Sequence, residues 1–285
     1  MPDTFNIPDK ISSQIVTNHF RKCPAAIGAR INDICPSPAT IVDFGCGLGI
    51  KTVAIAAAFP EANVIGVDIT QAHQRAREFC DTHFDGRMPQ NLSFHTIEPG
   101  TSIGSICTPD VIYSWSVMEH IQRDLLPGII ADMYKALAPE GMVFTQIAPL
   151  FHSPFGHHLR EFCDIPWIHL QESHQRFRRR ISDVPQREGA TGSAVWMFSR
   201  FEDLNRITAD ELAGYFDAAG FACAVDDRKK TPQKPPAELA ATYHEAALRT
   251  FELLFVHRKT ADRSADAPEK APANDKGRKW WNLRG

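Results

Sequence analysis

No two cysteines of this chain stand as C-x-x-C. The seven (Cys23, Cys35, Cys46, Cys80, Cys107, Cys163 and Cys223) are scattered and odd in number, which argues against a disulfide framework or a structural zinc site. Reduced thiols of a cytoplasmic protein are the simpler expectation. Apolar runs are short: none approaches the roughly 20 residues that a membrane-spanning helix needs. The first ten residues, MPDTFNIPDK, lack the basic start and apolar stretch of a signal peptide. Charge of one sign is also missing. With 31 basic and 34 acidic side chains the net charge is −3, so a surface given over to nucleic acid is not expected. No internal repeat is visible.

What the chain does have is an alternation. Residues 39–44, 62–68, 92–97, 110–115 and 141–148 are short apolar or β-branched runs that read as strands. Helical stretches separate most of them, at 51–59, 70–84 and 123–137. A helix over 9–22, with Ile11, Ile15 and Val16 at helical spacing, is expected ahead of them. Strands alternating with helices predict right-handed βαβ units and a parallel sheet covered on both faces. Residues 149–200 break the rhythm with prolines, histidines, aromatics and the basic run 174–180, and read as an insertion over the ligand edge of the sheet. The rhythm then resumes. Thr208 and Glu211 form a capping-box signature for a helix over 208–221 that stops at Gly220. A strand over 221–225, a helix over 236–246 and a last strand over 252–258 follow, the last pairing antiparallel with the one before it. The fold class is therefore α/β: a Rossmann-like three-layer sandwich with a mostly parallel seven-stranded sheet, an antiparallel last strand and an inserted cap. Residues 1–259 form one domain, with 149–200 as its acceptor-binding cap. Residues 260–285, rich in Ala, Asp, Lys and Pro and ending in Lys279-Trp280-Trp281, read as a disordered tail.

The chemistry is concentrated in Asp43-Phe44-Gly45-Cys46-Gly47-Leu48-Gly49, between the first strand and the following helix. Alternate glycines allow a sharp turn that brings backbone N–H groups and a helix N-terminus close to a ligand. A dinucleotide fingerprint would place its third glycine one residue later. The acid ahead of the glycines suits a cationic or amino-bearing ligand better than a pyrophosphate. Asp68, closing the second strand, is placed to accept hydrogen bonds from two ribose hydroxyls, and Ile69 to pack on an adenine.

These segments, with PDVIYSWSVMEHI (109–121) and LAPEGMVF (137–144), resemble the class I S-adenosylmethionine-dependent methyltransferases across roughly residues 39–148, and more loosely over 208–258. The resemblance implies S-adenosylmethionine as cofactor. Asp43, Gly45, Gly47 and Gly49 would line its methionine end, Asp68 its ribose, Glu98 the adenine edge, and Trp115 and Ser116 the reacting methyl. The segment 153–170 looks like an insertion in bacterial methyltransferases associated with surface saccharides, which implies a saccharide or another small-molecule hydroxyl as acceptor. A nicotinamide-dependent oxidoreductase on a similar sheet, or a non-catalytic relative that binds cofactor, are the alternatives.

Methyl transfer to a hydroxyl needs a base, and histidine is the natural one. His158 and His157 are the first choices and His120 the next, since all follow strand ends at the carboxyl edge of the sheet. Some relatives bind a divalent ion through E-x-x-E-H. Here Glu119 and His120 match its end, but Ser116 replaces its first glutamate, so no metal is expected. The run Arg176, Arg178, Arg179 and Arg180 could clamp a phosphorylated acceptor or form a solvated face. Trp167 and Trp196 could stack on a sugar or fill a small core.

Overall fold

The structure is a computed structural model, and it describes residues 16–71, 73–184 and 193–260. The expected helix over 9–22 lies partly outside these residues. Its described part, Val16–Lys22, is π-helical and runs into α1 (Cys23–Ile34), a helix the sequence reading missed. The tail expectation falls outside the described residues.

The central sheet is built from β1 (Thr40–Phe44), β2 (Asn63–Asp68), β3 (Leu92–Thr96), β4 (Val111–Trp115), β5 (Met142–Ile147), β6 (Phe221–Lys230) and β7 (Thr250–Lys259). Their spatial order is β3-β2-β1-β4-β5-β7-β6. The first five strands pair in parallel, and β7 runs antiparallel to both β5 and β6. Side chains alternate across this sheet as the period of two requires. Ile41, Val64, Val111, Tyr113 and Phe144 face a core shared with α1 and with α2 (Ile50–Ala58). Val42, Phe44, Ile65, Ile112 and Val143 face the opposite core, with α4 (Leu126–Ala136) and α8 (Ala209–Ala218). A third cluster packs α2 against α3 (Gln74–His83). Burial on both faces explains why these strands read as nearly continuous apolar runs.

Between β3 and β4, where no helix was expected, the crossover holds a short 3₁₀ turn, Ile103–Ser105. Two elements differ from the expectation. The strand expected over 221–225 continues to Lys230, with a register shift between Cys223 and Val225. The helix expected over 236–246 is two short pieces, α9 (Ala237–Ala240) and α10 (Glu245–Arg249). The expected capping box is present at α8: the Thr208 side chain accepts from the Glu211 N–H, and Glu211 accepts from the Thr208 N–H. The helix ends at Gly220, whose φ of +95° is the left-handed stop that glycine supplies.

The cap contains α5 (Ile168–Gln171), α6 (His174–Ser182) and α7 (Ala194–Glu202). It has a core of its own in Phe151, Leu159, Phe162, Phe177, Ile181, Phe198 and Phe201. Gly156 locks its entry. A Cβ there would lie 2.0 Å from the Phe151 carbonyl oxygen, so no other residue fits this turn.

Candidate active site

In an open α/β sheet, ligands bind where the strand order reverses. Here that point lies between β1 and β4, and the glycine bend stands on it. Gly45, Gly47 and Gly49 all have positive φ, of +76°, +52° and +70°, but they serve different ends. A Cβ on Gly45 would lie 2.5 Å from Val117 Cγ1, in the turn after β4. One on Gly49 would lie 2.9 Å from Phe94. Those two glycines let neighbouring elements close up. Nothing lies within 4 Å of a Cβ on Gly47, so only there does the bend face free space.

Asp68 sits beside that opening. Its Oδ2 accepts from the Gly47 N–H at 2.8 Å, and its Oδ1 from the Thr70 N–H and hydroxyl, each at 2.8 Å. A carboxylate oxygen has two acceptor directions, so Thr70 fills Oδ1 while Oδ2 retains capacity for a ligand hydroxyl. Asp43 is on the α2 face of β1, 1% exposed, and accepts from Thr52 Oγ1 at 2.7 Å. Burial raises its pKa, while Lys51 and the Thr52 bond oppose the rise. Asp43 thus braces the loop from below.

A cavity of 320 Å³ opens next to the bend. Gly45, Asp68, Ile69, Ile97, Pro99 and Thr101 are among the residues that line it, with Asp132 and Lys135 of α4 on the far side. It exists because the short β3–β4 crossover leaves this flank of α4 uncovered. Asp132 holds that crossover, accepting from Ser102 Oγ and from the Ile103 N–H. Ile69 lines this cavity, whereas Glu98 is exposed and is not among its lining residues, which include its neighbours Ile97 and Pro99. Asp132 and Thr101 had no local signal in the sequence, because their positions depend on how the β3–β4 crossover folds onto α4.

β4 lies between β1 and β5, so Trp115 and Ser116 end it beside the bend. Ser116 has φ +56°, its N–H donates to the Gln146 carbonyl at 2.9 Å, and its Oγ donates to Gln146 Oε1 at 3.2 Å. The following 3₁₀ turn, Met118–His120, is stapled by Asn205. Asn205 Nδ2 donates to the Met118 and Ile121 carbonyls at 2.6 and 2.7 Å, and its N–H to the Glu119 carbonyl at 2.9 Å.

A second cleft, of 580 Å³, lies beyond β5. Its wall includes Ser153, Phe155, His158, Arg160, Thr231, Gln233 and Phe251, with no carboxylate side chain among the described lining residues. His158 Nε2 lies 2.8 Å from the Pro149 carbonyl oxygen, which fixes the proton on Nε2 and leaves Nδ1 as the acceptor. Burial lowers its pKa. The His120 ring is 6.0 Å away, and burial, His158 and Arg200 push its pKa down to about 3. His157 is elsewhere: wholly buried, its Nδ1 accepting from the Leu159 N–H, its ring 5.1 Å from His169 in the cap. Trp167 is likewise a packing residue, 3% exposed, with Nε1 donating to the Leu248 carbonyl at 3.1 Å. Trp196 is exposed, with the Arg200 guanidinium 5.5 Å over its ring. Arg176 and Arg180 share the single carboxylate of Glu172, so two of the four arginines are held locally. Among the described residues no group of three His, Cys, Asp or Glu side chains could hold a metal ion, and no helix is long and apolar enough to cross a membrane.

The profile of a family described as a methyltransferase domain matches residues 17–224. The chain belongs to that family. The match decides between the methyltransferase and nicotinamide readings, and the cofactor is S-adenosylmethionine. The site fits that group through the open side of Gly47, the carboxylate beside it and the adjoining apolar cavity. Among curated proteins, the trans-aconitate 2-methyltransferase of Variovorax paradoxus is 28% identical over 233 residues, 81% of this chain and 74% of that one. The enzyme of the same name from Streptomyces coelicolor is 29% identical over 170 residues, 57% of this chain and 49% of its own. This methyltransferase domain therefore spans about half of that second relative. Two solved structures share the fold at 16% identity and a TM-score of 0.50. One is from Nostoc punctiforme, provisionally described as an O-methyltransferase, and the match covers 85% of this chain and 57% of that one. The other concerns the conversion of a disulfide bond into a thioacetal group in echinomycin biosynthesis, with 84% and 82% covered.

Proposed function

We propose that the protein methylates a hydroxyl of a small polar acceptor, a saccharide or related metabolite, seated in the cleft beyond β5. The bound cofactor supplies a methyl already activated on sulfonium sulfur. The protein's share is to position the acceptor and take its proton. The observation that carries the reading is His158 on the cleft wall, with Nε2 committed to Pro149 and Nδ1 left as acceptor. Phe155 and Phe251 offer faces for a sugar ring, and Ser153, Thr231 and Gln233 offer neutral hydrogen-bonding groups. His120 is the neighbouring histidine, and His157 serves the cap.

A second reading has one observation in its favour. Arg160 also lines the cleft, although it is held by Asp164 at 2.7 Å, and the relatives named above carry a carboxylic acid in their names. A carboxylate acceptor is ionised at neutral pH and needs no base. Replacing His158 with Gln separates the two. Hydroxyl methylation predicts a loss of roughly 10²- to 10⁴-fold in kcat, measured with radiolabelled methyl donor on polar metabolite fractions. Unchanged turnover would sink the base assignment and favour the carboxylate.

A further inference from the structure

Glu119 is the most poorly satisfied side chain near the site. It is 4% exposed, and neither carboxylate oxygen has a hydrogen-bond partner. Buried polar atoms in folded proteins nearly always have partners, and a lone buried carboxyl is costly. Its position is not slack, because Asn205 pins the turn on both sides. Nor is it remote from the glycine bend: Val117, two residues earlier, is the side chain against which Gly45 closes.

Lys51 approaches from the other side. It is the second residue of α2, next to the Thr52 that bonds Asp43. Its positive charge acts on both Asp43 and Glu119, yet among the described residues it forms no ion pair. Lys51 and Glu119 thus act on each other without closing an ion pair, and burial keeps the Glu119 carboxyl protonated until a cation sits beside it. A zwitterion fits between such a pair, and the amino-acid end of the cofactor is one.

We propose that Lys51 and Glu119 are a clamp for the methionine end of the cofactor, Lys51 taking its carboxylate and Glu119 its ammonium. This goes beyond the acceptor reading and does not depend on it. Neither residue belongs to the glycine motif. The clamp makes charge at both ends a condition of tight binding, while Asp68 and the apolar cavity hold the adenosine.

The test is calorimetric and needs no acceptor. Three probes are titrated: S-adenosylhomocysteine, its decarboxylated analogue, which keeps the ammonium, and methylthioadenosine, which has neither charged group. Charged hydrogen bonds of this kind are worth about 10-fold or more in affinity. Lys51→Met is expected to weaken S-adenosylhomocysteine by that factor and leave the other two unchanged. Glu119→Gln is expected to weaken both ammonium-bearing probes and leave methylthioadenosine unchanged, with no fall in Tm. Equal losses on all three probes, wild-type binding of methylthioadenosine as tight as that of S-adenosylhomocysteine, or no wild-type binding of the latter would each overturn the clamp.

Discussion

Single residues here carry conflicts that a fold alone would not require. Gly45 combines a φ of +76° with contact against Val117. Gly45→Ala is expected to destabilise the protein by about 1–3 kcal/mol from backbone strain, plus the cost of displacing Val117. The double variant Gly45→Ala/Val117→Ala should recover only the second part in urea unfolding. Glu119 makes an opposite prediction. Burial raises its pKa from 4.5 to about 8, so the folded state binds its proton more tightly than the unfolded chain. Stability falls as pH rises from the unfolded value towards the folded one. Glu119→Gln should therefore match wild type near pH 4 and exceed it by about 3 kcal/mol at pH 7, measured by denaturant unfolding across pH. At this scale the sequence was legible where chemistry is local. Asp68 and the three glycines could be named because a strand end followed by a tight bend fixes them. Glu98 lies off the cavity lining, and Lys51, Asp132 and Asn205 gave no local signal, because their positions matter only through contacts between distant segments.

At the scale of elements, the cap is sensitive to pH. His157 and His169 pack ring to ring at 5.1 Å inside it, with pKa values pushed down by burial to about 3 and about 4. Both are neutral when folded, while the unfolded chain takes up protons near pH 6.5. Their contribution to stability is complete above that value and is lost as pH falls towards the folded values. Mild acid should loosen the cap, seen as falling hydrogen-exchange protection factors in α6 and α7 between pH 6.5 and 4. The double variant His157→Gln/His169→Gln should flatten that dependence. A cap whose protection factors, corrected for the intrinsic pH dependence of exchange, are no lower at pH 4.5 than at pH 7 would contradict this. The central strands β1, β2, β4 and β5 were legible as apolar runs because they are buried on both faces, and α8 because its capping box is written in Thr208 and Glu211. The helix α1 was hidden by Pro24 and Gly28, two residues that disfavour a helix. The crossover after β3 could not be judged in advance, since a 3₁₀ turn held by Asp132 looks like any polar loop in sequence.

For the whole molecule, topology explains why these residues meet. The order β3-β2-β1-β4-β5-β7-β6 places the glycine bend and the turn after β4 at the reversal point, and sets the cap beyond β5. The cofactor and acceptor regions thus lie on adjacent strand ends, with Ser116 and the Met118–His120 turn between them in the order of the sheet. The division of labour predicts that variants of the Asp68 cradle lower donor affinity, whereas variants of the cleft lining lower turnover at saturating donor. The most direct measurement is a crystal structure with S-adenosylhomocysteine. The account predicts the ribose hydroxyls within hydrogen-bonding distance of the Asp68 carboxylate, the adenine against Ile69 and the homocysteine passing the open side of Gly47. A ligand bound elsewhere, or an Asp68 that touches only Gly47 and Thr70 in the complex, would contradict it.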